Sequence, residues 1–557
     1  MSTPVPDPIR LGTRASVLAR TQSATVGDAL ASLAGRPWSE VLIRTRGDDT
    51  TKPLDQPGSP GLFVSTLRQA LLEGEVDVVV HSFKDLPSAP EPGIVVAAVP
   101  ERVDARDVLV SRDGLRLADL PSGAVVGTSS PRRSAAIATV RPDLVIRPIR
   151  GNVDTRIRKV RDGEYDATVL AAAGLQRIGR LDEIAEYLDG MIPAPGQGAL
   201  AVECRADDLE MRDLLAGLDD AHARLVTTAE RQVLIGIHAA CTTAVAAHAT
   251  YDDGSLVLCA DLAIDGATTA SRVVASCAVD DTSAARTAGM RAAAHLVSAG
   301  ERPLALLVRS AGNGEDIAAL GAVGVAAVCE AYVQSIPVPG DSVVLMHRVR
   351  ESLERGDSAR TWIVATSALA MPSWVAGAGN ELPSLLRAAA RAGMRAAATG
   401  ERSARTLVEA GFGDVLVPPR ASAADLVAAM SELAPGYAIF PHGDRALWTL
   451  PEGLAQSGWR VDAGVVYATS TVDERPASAD LVEDGTVGVL VLRAPSAARA
   501  VASHARVPDG VIVVCTGETT AREARESGLT VSAVSQSPSP SDVAAAVSAA
   551  IASPHRR

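Results

Sequence analysis

The chain has 557 residues, 47% of them hydrophobic and 21% charged, which excludes one compact core at about 150 residues per domain and excludes a disordered chain. Its 53 basic against 66 acidic residues leave a net charge of −13, so a generic nucleic-acid or membrane-surface protein is excluded too, and any anion site has to be a concentrated patch. The six cysteines, Cys204, Cys241, Cys259, Cys277, Cys329 and Cys515, show neither C-x-x-C nor Cys/His metal spacing, so reduced thiols, no disulfide framework and no metal are expected.

The N-terminus, MSTPVPDPIRLGTRAS, lacks a basic stretch followed by a long apolar one, and no later run reaches the ~18 uninterrupted apolar residues of a membrane span. A cytoplasmic location without membrane contact is expected. Short apolar runs of β type then alternate with longer helical patterns: VDVVVHSF, IVVAAV, AVVGTSS, LVIRPI, ATVLAAA and ALAVECR in the first half, LALLV, TWIVATS, GVLVL and GVIVVC in the second. That rhythm predicts α/β domains with mostly parallel sheets. HSFKDLP, residues 81 to 87, follows the apolar run VDVVV, so Lys84 and Asp85 fall in a loop at the carboxyl end of a strand, where open α/β sheets place ligands. A surface ion pair fits that position; so does a carboxylate that handles protons or stabilises a cation beside an ammonium. Lysine occurs only at Lys52, Lys84 and Lys159.

Between residues 130 and 161, Arg132, Arg133, Arg141, Arg147, Arg150, Arg156, Arg158, Lys159 and Arg161 face only Asp143 and Asp154. Such a run is by default a solvated helix face. Here, however, Arg132 and Arg133 follow the strand-to-helix turn GTSSP, and Arg150 lies in a second turn, IRGNVDTR, with Arg156 about one helical turn beyond. Guanidinium forks suit carboxylates, so a cleft for a polycarboxylate or polyphosphate is expected. The segment holds no aromatic residue, which disfavours single-stranded nucleic acid. Cys241, in HAACTTAVAAHA, has by spacing alone the look of a buried inert thiol. Near residue 300, VSAGERPLALLVRS combines a helix end, a glycine, a proline and a fresh apolar strand, predicting a major boundary. PASADLVEDG, around residues 476 to 485, has the composition of a low-order separator.

In order along the chain, LGTRASVLA, TRGD, GLFVSTLRQALLEGEVDVVVHSFKDLP, GTSSPRRSA, RGNVDTRIRK, AAAGLQRIGR, PAPGQGALAVECR and AERQVLIGIHAACTTAVAAHA strongly resemble the porphobilinogen deaminase (hydroxymethylbilane synthase) family, over about residues 8 to 260. The resemblance implies three α/β domains: two periplasmic-binding-protein-like ones around a cleft, residues 8–102 with 199–218 and residues 103–198, and a small one, residues 219–300, carrying a covalent dipyrromethane cofactor. It implies Cys241 as the attachment point, reversing the inert reading. Asp85 would contact pyrrole nitrogens and stabilise the cationic species, and Lys84 would bind a carboxylate. Arg14, Ser16, Thr128, Ser129, Arg132, Arg133, Arg150 and Arg156 would hold the cofactor, and Arg177 the acid groups of substrate and growing chain. Two departures stand out: Gln56 and Pro60 occupy the segment PLDQPGSPGLF, where the family usually has lysines, with Lys52 a partial substitute; and the cysteine loop has AACTTAV in place of GGC followed by Q-V-P.

From about 302 to 555, the ordered segments LLVRSAGN, IVATSALAM, AATGERSARTLVEAGF, FPHGDRALWTLPEGLAQSGWRVDAGVVYAT, VLVLRAPSAARA and VIVVCTGETTAREARESGL resemble, less closely, the uroporphyrinogen-III synthase family. This implies two α/β lobes on a two-stranded connector, residues 302–336 with 472–555 and residues 340–465. Tyr467 would assist loss of the substrate's hydroxyl, and Ser367, Ser496 and Thr520 would bind its acid groups. Together the resemblances imply one bifunctional tetrapyrrole enzyme, acting on porphobilinogen and then on hydroxymethylbilane, with no nucleic-acid partner and expected as a monomer. A deaminase with a C-terminal binding or regulatory unit, and a non-enzymatic polycarboxylate-binding protein, are the alternatives.

Overall fold

The computed structural model describes residues 7–43, 62–239, 243–263, 270–278, 281–299, 302–309, 312–379, 381–420 and 422–553. Its described strands form five sheets, and the chain divides into two compact units, Met1–Tyr332 with Glu474–Arg557, and Val333–Asp473. Each apolar run singled out in the sequence forms a strand.

In the first unit, one sheet has the order Trp38–Leu42, Ile9–Thr13, Val78–Ser82, Leu200–Arg205, Ile94–Ala98, and a second the order Val145–Arg147, Val125–Gly127, Ala167–Ala171, Asp107–Ser111, Glu186–Tyr187. Both are mixed, which corrects the expectation of mostly parallel sheets. Leu200–Arg205 runs antiparallel to both of its neighbours, and so does Asp107–Ser111. A parallel neighbour needs a helical crossover within the sheet. These two strands instead arrive from the other sheet, one on the way out and one on the return.

The third sheet, Ala244–Asp252, Ser255–Ala263 and Ala270–Ala278, is antiparallel throughout. The helices Ala221–Gly236 and Thr282–Ser298 accompany it. Asp220 caps the first helix, accepting from the Ala223 amide at 2.7 Å, and Asp281 caps the second, accepting from Ala284 at 2.8 Å. The two axes approach so closely that a Cβ on Gly289 would lie 2.2 Å from the Ala229 carbonyl oxygen.

The fourth sheet is parallel throughout: Ala326–Cys329, Leu304–Leu307, Val489–Leu492, Ile512–Cys515, Val531–Val534. All four residues of Leu304–Leu307 and of Val489–Leu492 are buried, as strands covered on both faces require. The segment 476–485, expected to be of low order, holds the helix Ser478–Glu483. Its Ser478, Ala479, Leu481 and Val482 are buried, so the small residues that resemble a linker are packing residues. Residues 298 and 304, on either side of the expected boundary, lie in the same compact unit.

The second unit has one six-stranded sheet, Val333–Pro337, Arg460–Thr471, Tyr437–Gly443, Thr361–Ala365, Arg395–Ala398 and Val415–Leu416, antiparallel only at its first pair. Among the described residues, no helix is long and apolar enough to cross a membrane and no His/Cys/Asp/Glu cluster could hold a metal.

Candidate active site

The strand Val78–Ser82 ends in a single turn, Phe83–Asp85. Phe83 and Leu86 are both buried and pin the turn from either side, so Lys84 and Asp85 are presented between two apolar anchors. Arg231, from the helix Ala221–Gly236, braces the same turn. Its guanidinium lies 4.6 Å from the Phe83 ring centroid and donates to the carbonyls of Phe83, Leu86 and Pro87 at 3.2, 3.3 and 2.6 Å. Asp85 is exposed and, among the described residues, has no ion-pair partner.

Lys84 donates to Gln197 Oε1 at 3.1 Å, and Gln197 donates in turn to Asp107 Oδ1 at 3.0 Å and to the Ala105 carbonyl at 2.7 Å. The buried Asp107 holds both arginines that follow the GTSSP turn. Arg132 Nη1 reaches Oδ2 at 2.6 Å, while Arg133 Nε and Nη2 reach Oδ1 at 3.0 and 2.7 Å. Arg133 commits its remaining terminal nitrogen to the Val169 carbonyl at 2.8 Å. The free-donor anion site expected at this turn is therefore a buried ion cluster, because a carboxylate at the start of the apolar strand Asp107–Ser111 has to be paired. What reaches the cleft from Arg133 is its charge. Lys84 is lowered to about 8, first by burial and then by Arg133.

One donor of the cluster is left over: Arg132 Nε is buried without a hydrogen-bond partner. Arg156 has its pKa lowered by burial, a fall that the Asp85 charge opposes. Its Nε donates to the Gly151 carbonyl at 2.9 Å. Arg150 is exposed. Arg177, lowered to about 10 by burial, donates to the Gly198 carbonyl at 2.7 Å. Arg14 is partly buried just past the strand Ile9–Thr13, and Ser16 caps the helix Val17–Ala34. Thr128 Oγ1 accepts from the Ser130 amide at 3.2 Å, while Ser129 Oγ exchanges hydrogen bonds with the Ile149 backbone at 2.8 and 3.1 Å. These two hydroxyls hold the second sheet's turns together. Cys241, and Lys52, Gln56 and Pro60 of the segment before GLF, lie outside the described residues.

In the second unit, Tyr467 is 8% exposed on the strand Arg460–Thr471, and Ser367, just past Thr361–Ala365, is among the groups that act on its phenol. Burial pushes the phenol pKa up, so the ring keeps its proton. Gly443 makes room for it: a Cβ there would lie 2.6 Å from Tyr467 Cζ. Ser496 and Thr520 belong to the first unit, in the opening turns of the helices Pro495–His504 and Glu518–Glu526, which follow two paired parallel strands. Beside them, buried Asp316 accepts from Arg493 Nη1 at 2.7 Å and also pairs with Arg309.

Asp107, Gln197 and Arg231 escape sequence reasoning as site residues. The signal for Asp107 was a carboxylate opening the apolar run DVLVS, which has to find a cation. Gln197 and Arg231 carry no local signal, because their partners lie far along the chain.

The first unit thus sets a carboxylate–ammonium pair at a strand end and, behind it, a buried arginine–aspartate cluster with one leftover donor. Residues 9–213 match the family model "Porphobilinogen deaminase, dipyromethane cofactor binding domain", and residues 315–545 match "Uroporphyrinogen-III synthase HemD". "Porphobilinogen deaminase 1" of Streptomyces coelicolor is 54% identical over 245 residues, 43% of this chain and 77% of that protein. "Porphobilinogen deaminase" of Nocardia farcinica is 47% identical over 307 residues, 53% of this chain and 88% of that protein. Among solved structures, uroporphyrinogen-III synthetase from Helicobacter pylori is 15% identical, with 45% of this chain and 99% of that chain covered at a TM-score of 0.30. The chain belongs to the porphobilinogen deaminase family, and a uroporphyrinogen-III synthase domain follows in the same polypeptide.

Proposed function

We propose that this chain polymerises four porphobilinogens head to tail into hydroxymethylbilane, releasing ammonia, and closes that product with inversion of its last ring to uroporphyrinogen III. The carrying observation is the exposed Asp85, beside Lys84 on a turn that Phe83, Leu86 and Arg231 hold at the strand end. Loss of ammonia from the aminomethyl group leaves a cationic pyrrole. A carboxylate about 4 Å from such a charge gains ~4 kcal/mol at an effective dielectric of ~20, against ~1 kcal/mol in water. Asp85 would thus lower the barrier by an amount that water cannot supply once the bound substrate shields it from solvent. Lys84, Arg156, Arg150 and Arg177 hold the acetate and propionate groups, and each further pyrrole brings two more carboxylates for the arginines. Arg132 and Arg133, fixed by Asp107, supply field and one remaining donor.

The donor set fits the dipyrromethane that the family model names: clustered cations and the leftover Arg132 Nε suit its acid groups. Cys241 would carry it, with Arg14, Ser16, Thr128 and Ser129 lining the same strand ends. When bound, this group supplies the nucleophilic pyrrole carbon from which the chain starts. We read the first two sheets as periplasmic-binding-protein-like domains around the cleft and the third as the cofactor domain. The fourth and fifth sheets are read as the synthase lobes. There Tyr467, kept protonated by burial and oriented by Ser367, donates toward the departing hydroxyl. Ser496 and Thr520 bind acid groups, and the rest of the work is holding the linear tetrapyrrole folded. A cytoplasmic monomer is the setting proposed for this chemistry.

The test gives full-length protein porphobilinogen, oxidises the products to porphyrins and separates isomer I from isomer III. Predominant isomer III is expected. Isomer I alone would leave a deaminase with an inactive C-terminal half, and no consumption, with no dipyrromethane in the intact mass, would favour a polycarboxylate binder. Cys241→Ser is expected to remove that added mass.

A further inference from the structure

Three consecutive residues of the helix Ala221–Gly236 reach three different parts of the first unit. Glu230, fully buried, accepts from Arg102 Nη1 and Nη2 at 2.7 and 3.1 Å, from the Gly196 amide at 2.7 Å and from the Ala249 amide at 2.8 Å, tying together the segments that pass between the first two sheets. Arg231 braces the Lys84–Asp85 turn. Gln232 points the other way, donating to Glu330 Oε1 at 2.9 Å. Glu330 directly follows the strand Ala326–Cys329 of the fourth sheet.

Glu330 is 5% exposed, and its carboxylate is the centre of a cluster. Ser478 donates its backbone amide to Oε2 at 2.7 Å, and Arg286 Nη2 reaches Oε1 at 3.3 Å. Around this centre lies a rim between the helix Thr282–Ser298 and the segment that resumes the fourth-sheet fold: Arg286 pairs with Glu474, Thr287 Oγ1 donates to Asp480 Oδ2 at 2.9 Å, and Arg291 meets Asp484 at 2.6 Å. The chain crosses into the second compact unit after Tyr332 and returns at Glu474. Both crossings leave the first unit within a few residues of the Glu330 carboxylate.

A buried carboxylate is costly unless paired and fully hydrogen-bonded, and here its donors come from both halves of the chain. A flexible tether between two independent enzymes would not require any of them. We propose that the third-sheet domain and the fourth-sheet lobe form a permanent docking interface locked by Glu330. The fourth-sheet lobe is thereby anchored on the helix that braces the Lys84–Asp85 turn. The interface rests on the fused-enzyme reading for its purpose, since it turns tethering into fixed docking of the fourth-sheet lobe on the third-sheet domain.

Hydrogen exchange on the full-length protein tests it, with the Ser478 amide as the direct reporter. In the parent protein this amide is expected to exchange as slowly as the fourth-sheet core. Glu330→Ala is expected to speed exchange at Ser478 and along Thr282–Ser298 by at least about tenfold, to leave porphobilinogen consumption within about twofold, and to lower the fraction of isomer III. Should that variant fail to fold, Thr287→Val with Arg291→Ala removes only rim contacts and is expected to speed exchange along Thr282–Ser298 alone. Fast exchange at Ser478 in the parent, or unchanged exchange along Thr282–Ser298 in a folded variant, would overturn the interface. Failure of the bifunctional reading has a different signature: protected Ser478 in a parent protein that makes no isomer III.

Discussion

Asp85 and Lys84 are neighbours with opposite dependences on their surroundings. Asp85 is exposed, and on the proposed reading its worth lies in what it does to a cation brought beside it; Asp85→Asn preserves shape while removing the charge. Porphobilinogen consumption by that variant is expected to fall by about two to three orders of magnitude, matching the ~3 kcal/mol difference between cleft and water, with the dipyrromethane mass retained. Rapid-quench turnover with intact-mass control checks this, and a loss of threefold or less would remove Asp85 from the chemistry. Lys84, lowered to about 8 by burial and by Arg133, binds a carboxylate only while protonated. Its charge is complete below that value and lost as pH rises through it. The KM for porphobilinogen is accordingly expected to climb above pH 8, measured at constant ionic strength, and Lys84→Arg should flatten the climb because guanidinium stays charged. That these two residues sit at a strand end was legible in HSFKDLP. That Gln197 and Asp107 stand behind Lys84 was not, since residue spacing carries no trace of a partner on another sheet.

At the scale of elements, strand ends deliver nearly every group the chemistry uses, and neighbouring elements set how those groups point. In the second unit the strand Tyr437–Gly443 pairs with Arg460–Thr471, and the last residue of the former leaves a space that the Tyr467 ring fills. Gly443→Ala puts a carbon 2.6 Å from Tyr467 Cζ, closer than any real contact, so the ring must leave the position it holds. Isomer analysis of that variant is expected to show a shift from isomer III toward isomer I with porphobilinogen consumption unaltered. An unchanged ratio would take Tyr467 out of the synthase reaction. The helix Ser478–Glu483 teaches the complementary lesson: alanine, serine and glycine around it resemble a linker in composition, yet burial of its small face makes it part of the core.

For the whole molecule, the first unit is held by buried carboxylates that each collect several donors, and acid is the condition that tests them. Glu203, 1% exposed, is held at about 2: burial pushes it up, but His81, 3.3 Å away, and the hydrogen bonds from Arg68 outweigh that. Asp107 and Glu230 are lowered as well, burial again opposed by arginines. A carboxyl with a depressed folded pKa stabilises above its unfolded value and loses that contribution as pH falls through the folded one. For Glu203 alone the window runs from its ordinary 4.5 to about 2, worth about 3 kcal/mol. Denaturation midpoints followed by far-UV circular dichroism should therefore be flat above about pH 5 and fall steeply below pH 4.5. Glu203→Gln should shallow that fall, and an identical slope in the variant would show that Glu203 does not carry it. Four described cysteines, Cys204, Cys259, Cys329 and Cys515, are free thiols, so no disulfide is needed to explain how these domains hold together.

What the sequence determined by itself was everything with a short-range signature: the strands, from their apolar runs; the ligand-bearing loops, from the turn residues that follow them; and the order of motifs that places a deaminase before a synthase. Tertiary structure alone decided the direction in which strands enter the mixed sheets, and the pairing of Asp107 with two arginines. It likewise decided the packing of Tyr467 on Gly443, and the three-way reach of Glu230, Arg231 and Gln232. Periodicity reports whether a side chain is buried, whereas topology decides against what, because partners separated by scores of residues share no local pattern. The Glu330 cluster is the extreme case: its donors come from three separate segments, and only the folded chain brings them to one carboxylate.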